Sequence, residues 1–235
     1  MQSSRLFTFL VLLFSTISLT AQDLTPADLL KRSINYHDPK GKWGKIPLSL
    51  QLRETRPGGP DRMTTVAIDP KKGQFELDQN RNGDQIGILI KNDDCVFTLN
   101  GSNDISEADR EKLRLNCDRA KSMRNYYTYL WGLPMKLQDE GTMLGEVKRT
   151  TFMERDAYSL KVMYDPEVGS DIWYFYFDPS TYALIGYRFY HDEAANDGEY
   201  ITLEGEAQLK DFRLPKQRKW YTHKEDKFLG EDILE

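Results

Sequence analysis

The sequence predicts a mainly β (α+β) fold: one large antiparallel sheet of about ten strands with two helices. Three observations carry this prediction. Most of the chain alternates apolar and polar residues with a period of two, the signature of half-buried strands. Turn-forming clusters separate these runs, among them Pro57-Gly58-Gly59-Pro60, Asn82-Gly83-Asp84 and Asn196-Asp197-Gly198, at intervals that suit hairpins. Only two stretches, 25–37 and 106–132, carry helical periodicity together with capping signals.

The first twenty-one residues stand apart from that domain. Arg5 precedes an apolar run from Leu6 to Phe14, and small polar residues lead to Ala21. This order is that of a secretory signal, with cleavage expected after Ala21. The apolar run is well short of the ~20 residues needed to span a bilayer. Residues 22–235 are then expected to form a single exported domain with no transmembrane segment.

In that domain Thr25 caps the first helix, Pro26 occupies its first turn and Asp28 reaches back in a capping box. Asp38-Pro39 ends it. Leu48, Leu50 and Leu52 alternate with Ser49, Gln51 and Arg53 as the first strand. Strands follow at 63–68, 74–78, 86–90 and 95–99. Ser106 to Asp109 forms a second capping box, and Leu113, Cys117, Ala120, Met123, Tyr127 and Leu130 mark one buried face of a long helix. Gly132 and Pro134 end it. Strands resume at 146–154, 158–164, 172–177, 182–190, 200–209 and 217–223.

The 235 residues (27.4 kDa) carry a formal charge of −5 and a sequence pI near 5.4. Without a basic excess, a broad nucleic-acid-binding face is not expected. Hydrophobic residues make up 39% and aromatics 12%, enough to bury a core, which excludes disorder as the overall state. The two cysteines, Cys95 and Cys117, are candidates for a disulfide in an oxidising compartment, with two buried free thiols as the alternative. Two thiols without a nearby His pair are too few ligands for zinc.

Chemistry-bearing motifs are sparse. His37-Asp38 and His191-Asp192 invite an acid–base reading, but neighbours on a strand point to opposite faces. Neither a helix-spaced His pair, a Gly-x-Ser-x-Gly elbow nor a phosphate-cradling glycine loop occurs, so no catalytic residue, metal or cofactor is expected. Asp139-Glu140, Asp192-Glu193 and Glu231-Asp232 read as solvated carboxylates. A carboxylate pair assembled across strands would be needed for glycosidase-like chemistry. Asn100-Gly101-Ser102 matches the glycan-acceptor pattern.

Aromatic residues are concentrated instead. Trp173, Tyr174, Phe175, Tyr176, Phe177, Tyr182, Tyr187, Phe189 and Tyr190 fall within one strand pair. Trp173, Phe175 and Phe177 share one face, Tyr174 and Tyr176 the other. In the second strand, Ala183, Ile185, Tyr187 and Phe189 are expected on one face. Tyr126, Tyr127, Tyr129, Leu130 and Trp131 crowd the end of the long helix. A sheet aromatic on both faces is covered on both, by its own core or by a guest.

The order of signal, early helix, strand meander, inserted helix and long strands resembles the periplasmic lipoprotein-localisation carriers. So does the segment from Asp171 through Asp178-Pro179 to Leu184-Ile185-Gly186-Tyr187. Residues Tyr36-His37-Asp38-Pro39, Trp43, Tyr129 to Pro134, Trp220-Tyr221 and Phe228-Leu229-Gly230 are also similar to an uncharacterised exported family of Gram-negative bacteria. The resemblance implies a half-barrel: a curved sheet wrapped around the helices, with acyl chains held between them. It implies a soluble periplasmic or secreted carrier for a lipid, a lipoprotein acyl chain or another apolar ligand. No ligand residue carries over from the family, and the aromatic clusters themselves single out Tyr127, Trp131, Trp173, Phe175 and Phe177 as the expected lining. The partner would be an apolar small molecule or a lipidated protein, or a peripheral partner in the envelope. The alternatives are an envelope structural or interaction module without a cavity, its surface tyrosines meeting a partner, and a hydrolase with groups assembled across strands.

Overall fold

A computed structural model describes residues 24–235; the expected signal at 1–21 lies outside the described residues. Helix α1 (Pro26–His37) precedes strands β1 (Leu48–Thr55), β2 (Arg62–Asp69), β3 (Gln74–Arg81), β4 (Asp84–Lys91) and β5 (Asp94–Leu99). Helices α2 (Glu107–Leu113) and α3 (Cys117–Gly132) and a 3-10 turn (Met135–Gln138) follow. Strands β6 (Thr142–Phe152), β7 (Arg155–Tyr164), β8 (Ile172–Phe177), β9 (Leu184–Asp192), β10 (Asp197–Leu209), β11 (Phe212–Thr222) and β12 (Phe228–Leu234) complete the chain.

All strands join one antiparallel sheet, in the order β5-β4-β3-β2-β1-β12-β11-β10-β9-β8-β7-β6. The single sheet is the predicted one, with twelve strands where the sequence suggested about ten. The added seam is the pairing of β12 with β1, which sets Leu52 opposite Leu234 and Glu54 opposite Asp232. Two meanders thus meet at the middle of the sheet, and its free edges are β5 and β6. The segment α2–α3 connects those edges across the inner face.

Both capping boxes form: Asp28 N–H donates to Thr25 Oγ1 at 3.1 Å, and Asp109 N–H to Ser106 Oγ at 3.1 Å. The expected single long helix is instead two. Arg114 adopts a left-handed conformation (φ 57°) and caps α2, and Asn116 restarts the chain as the N-cap of α3. A non-glycine residue in that region is an uncommon helix stop, and no Gly or Pro marks it in the sequence. Cys95 on β5 is disulfide-bonded to Cys117, the first residue of α3, with Cα atoms 5.6 Å apart. The bond clips the covering helix to one sheet edge.

The core lies between the inner sheet face and the helices. Leu48, Leu50 and Leu52, Phe75 and Leu77, and Ile86, Ile88 and Ile90 supply one half. Leu160, Val162, Phe175, Phe177, Tyr187, Ile201, Phe212 and Leu214 supply the other. Helix α1 contributes Leu29 and Leu30, and α3 contributes Ala120, Tyr127, Leu130 and Trp131. At the end of α3, a Cβ on Gly132 would lie 2.4 Å from Cζ2 of Trp43, so only glycine lets that indole close against the helix.

The predicted face of β9 is broken by a register shift opposite Tyr176 and Phe177. Leu184 and Tyr187 point into the main core, while Ile185 joins an outer cluster with Phe152, Ala157 and Tyr176. An extra residue inverts the alternation locally, as β-bulges do. Ile185 therefore leaves the face expected for it.

Candidate functional site

The aromatic strand pair and the end of α3 meet under the inner face. Trp173 stacks on Phe175 (centroids 5.8 Å apart, 8° between planes) and lies 4.7 Å from Phe189. Tyr129 meets Trp173 edge-on at 5.8 Å and shares a 2.5 Å hydrogen bond with the Tyr164 hydroxyl. All five residues expected to line a ligand belong to this one core. Tyr127, Trp131, Phe175 and Phe177 are buried, and Trp173 is half-buried. On the opposite face Tyr176 is buried beneath Phe152, at 4.2 Å, and Tyr174 remains half-exposed.

Beneath α3 the sheet also carries a buried charged row that was not read from the sequence. Arg62 on β2, Glu54 on β1, Asp232 on β12 and Arg218 on β11 are successive cross-strand neighbours. Glu54, Asp232 and Arg218 are each about 1% exposed. Glu54 accepts from Thr64 Oγ1 (2.6 Å), Gln79 Nε2 (3.1 Å) and Tyr127 Oη (3.0 Å). Arg56 Nη2 donates to Asp232 Oδ1 at 2.9 Å. Burial pushes the Asp232 carboxyl up, against the opposing pull of Arg56. The carboxylates at 231–232 were expected to be solvated; Asp232 is not, because β12 pairs on both sides and turns it inward.

Arg218 Nη2 donates to the Leu130 carbonyl at 2.9 Å, and its guanidinium sits over Trp131, 3.6 Å from the ring centroid. Its Nε and Nη1, the Tyr187 hydroxyl and Trp220 Nε1 have no protein partner. A signal for this row does exist. Glu54 continues the inward alternation of Leu48, Leu50 and Leu52, and Arg218 that of Phe212 and Leu214.

His37 is buried and fully used. Its Nε2 accepts from Leu184 N–H at 2.9 Å, so Nδ1 carries the proton and donates to the Arg213 carbonyl at 2.6 Å. Desolvation lowers its pKa to about 4. This neutral imidazole ties α1 to β9 and β11. Asp38 accepts from the Lys42 and Trp43 N–H groups and makes no unit with it. His191 is exposed, and its Nδ1–H donates to Asp171 Oδ1 at 2.8 Å, which raises its pKa. Among the described residues, no group of three or more His, Cys, Asp or Glu is placed to hold a metal. None of their helices is long and apolar enough to cross a membrane.

An apolar crevice of about 270 Å³ opens beside α3. Trp43, Ile46, Leu48, Ile68 and Phe212 form its walls, with Arg124, Thr128 and Lys136 at its rim. Trp43 and Phe212 meet edge-on at 5.9 Å. The crevice thus lies on the flank of the helix whose inner side carries Tyr127 and Trp131.

The architecture is similar to a LolA superfamily protein from Nitrosomonas europaea, with 10% identity over 90% of this chain and 91% of that one, at a TM-score of 0.52. A putative outer membrane lipoprotein-sorting protein domain from Vibrio parahaemolyticus aligns at 12% identity over 89% and 88%, with a TM-score of 0.46. The first of these, together with the single open sheet, shows a LolA-like half-barrel fold. No curated protein matches the chain. The sequence model of a family of unknown function matches residues 4–234.

Proposed function

The chain belongs to that family, DUF6503, and from its fold and the apolar crevice beside α3 we propose an exported carrier or binding protein for an apolar ligand. The ligand would be a lipid, a lipoprotein acyl chain or a similar molecule held between sheet and α3. Residues 1–21 would direct export to the periplasm or beyond, leaving residues 22–235 as the working domain. The observation that supports this reading best is the apolar crevice beside α3, adjoining an aromatic core on the helix's other side.

The crevice is slightly smaller than ordinary ligand pockets, which run from about 300 to 1,000 Å³. A full acyl chain therefore needs α3 to move off the inner face. Its far end would then meet Tyr127, Trp131, Trp173, Phe175 and Phe177. Each buried methylene stabilises the complex by about 0.8 kcal/mol, offsetting the contacts that α3 gives up. Organic extraction of the purified protein, followed by mass spectrometry, should recover an amphiphile. The emptied protein should take up a fluorescent fatty acid. A protein that is empty as purified and also refuses the probe would overturn the proposal.

A second reading, an envelope interaction module, is favoured by the outer face. There Tyr200 stacks on Tyr221 at 5.0 Å, Tyr190 on His223 at 4.4 Å, and Tyr221 contacts Phe228 at 5.5 Å. Phe228 is exposed. Loss of partner capture without loss of stability in Phe228→Ser would support that reading.

A further inference from the structure

We propose that the groove between α1, the β8–β9 turn and β11 is a binding site for a phosphate-bearing anion. The groove encloses about 950 Å³ and is open to solvent. Its walls include Ile34, Pro39, Tyr36 and Tyr182, and its cations are Lys31, Arg32 and Arg213.

The charges in this groove are unevenly matched. Neither Lys31, Arg32 nor Arg213 makes an ion pair with a carboxylate of the described residues, whereas neighbouring Lys40 pairs with Asp211 at 2.7 Å. The acids that line the groove are already engaged. Asp28 accepts from the Thr25 hydroxyl at 2.7 Å, and Asp38 accepts from the Lys42 and Trp43 backbone. Glu206 accepts from the Tyr36 hydroxyl at 2.5 Å from the neighbouring cleft. Hydrogen bonding leaves Asp28 and Asp38 charged, so the three cations of the lining exceed its two carboxylates by one, a local positive excess in a chain of net charge −5.

The guanidinium groups are also held in place. Arg32 Nη1 donates to the Tyr182 hydroxyl at 2.6 Å, and Arg213 sits over the Tyr36 ring, 4.9 Å from its centroid. Fixed guanidinium groups lose less conformational freedom on binding and offer forked donors that match phosphate oxygens. His37 joins the two walls through the Arg213 carbonyl, so the cations of α1 and β11 keep their spacing. The apolar and aromatic walls give room for the organic part of a phosphate ester. This site is separate from the crevice beside α3, so its failure leaves the carrier reading untouched.

The full-length exported protein is titrated calorimetrically with inorganic phosphate, glycerol 3-phosphate and chloride at matched ionic strength. It is also sedimented with phosphatidylglycerol or phosphatidylcholine vesicles. Binding of the two phosphates but not of chloride, lost about tenfold in Arg32→Gln/Arg213→Gln, is expected; that factor corresponds to one charge-assisted hydrogen bond. Vesicle binding selective for phosphatidylglycerol and sensitive to the same variant assigns the anion to a lipid headgroup. Phosphate binding without vesicle binding assigns it to a soluble ester. The exposed single variant Lys31→Gln, which removes no packing, should weaken whichever interaction is seen. Binding equal in wild type and variants, or absent from every arm, overturns the proposal.

Discussion

The guanidinium of Arg218 sits over the ring of Trp131 at 3.6 Å while donating to the carbonyl of Leu130, the residue before it. One buried side chain on β11 thus holds the last turn of α3 by its face and by its backbone. The cost is visible, because Nε and Nη1 are left without partners and burial lowers the Arg218 pKa. Replacing Arg218 with Met removes both the tie and the unpaired donors, and Asp232 keeps Arg56. Global stability is therefore expected to change by less than about 2 kcal/mol. Amides of α3 should exchange about tenfold faster, the equivalent of one lost hydrogen bond to a charged donor. A loss of several kcal/mol in urea titrations would show instead that Arg218 mainly neutralises Asp232.

His37 makes stability depend on pH in a defined direction. Its folded pKa is about 4 against an ordinary 6.5, so between these values the unfolded chain binds the extra proton. This contribution is complete above about pH 6.5 and is lost as the pH falls toward about 4. The full effect is about 3 kcal/mol, at 1.36 kcal/mol per pKa unit. His191 has the opposite sign, since Asp171 raises its pKa, but its exposure makes it the smaller effect. Urea denaturation at pH 7.5, 6, 5 and 4 should show the slope in wild type. His37→Gln should be less stable at high pH and flatter across the window. A variant with an unchanged slope would place the dependence on other groups.

The Cys95–Cys117 bond closes a loop of 22 positions between the β5 edge and the start of α3. Loop-closure entropy assigns it about 3 kcal/mol. Cys95→Ser/Cys117→Ser should lose about that much in urea titrations, and protection from exchange should fall first at the beginning of α3. Stability within about 1 kcal/mol of wild type would mean that the helix is held by packing alone.

These elements were unequally legible in the sequence. Leu48, Leu50 and Leu52, and Ile86, Ile88 and Ile90, alternate strictly because one face is buried and the other wet, and their strands fall where expected. The caps at Thr25 and Ser106 were legible because a side-chain oxygen three residues before an acid has a local meaning. The helix break was not, since Arg114 takes a conformation that local composition does not signal. Nor was β12. Its partners β1 and β11 are far apart in sequence or joined by an unremarkable turn, and Glu231-Asp232 looked like a charged tail until pairing turned Asp232 inward. For the site, the aromatic residues expected to line a ligand, Trp173, Phe175, Phe177, Tyr127 and Trp131, lie in or against one core. The crevice depends on how α3 crosses the sheet, and Trp43, Ile68 and Phe212 have no sequence relation that would unite them.

In Tyr127 a structural contact and the ligand-lining role proposed above fall on different parts of one side chain. Its hydroxyl donates to buried Glu54 at 3.0 Å, while its ring lies in the aromatic core. Tyr127→Phe keeps the ring and leaves a buried carboxylate oxygen without that donor, a cost of about 1–3 kcal/mol. Thermal unfolding should register the loss, and uptake of a fluorescent fatty acid per folded molecule should be unchanged. Uptake that falls with the hydroxyl would assign Tyr127 a polar role toward the ligand.

Thr128 tests the route into the interior. It lies on α3 at the rim of the apolar crevice, half-buried, with its hydroxyl bonded back to the Arg124 carbonyl at 2.7 Å. Such a back-bond adds little to helix stability. A phenylalanine there has Trp43, Ile46, Leu48 and Ile68 to pack against, so Thr128→Phe fills the crevice from its own wall. The added apolar contact should leave the melting temperature unchanged or raised. Probe uptake should slow several-fold, because the volume proposed to accept the first methylenes is gone. If the equilibrium amount bound recovers after long incubation, the crevice governs entry and the space beneath α3 governs capacity. Unchanged uptake rate and amount in this stably folded variant would remove the crevice from the path of the ligand.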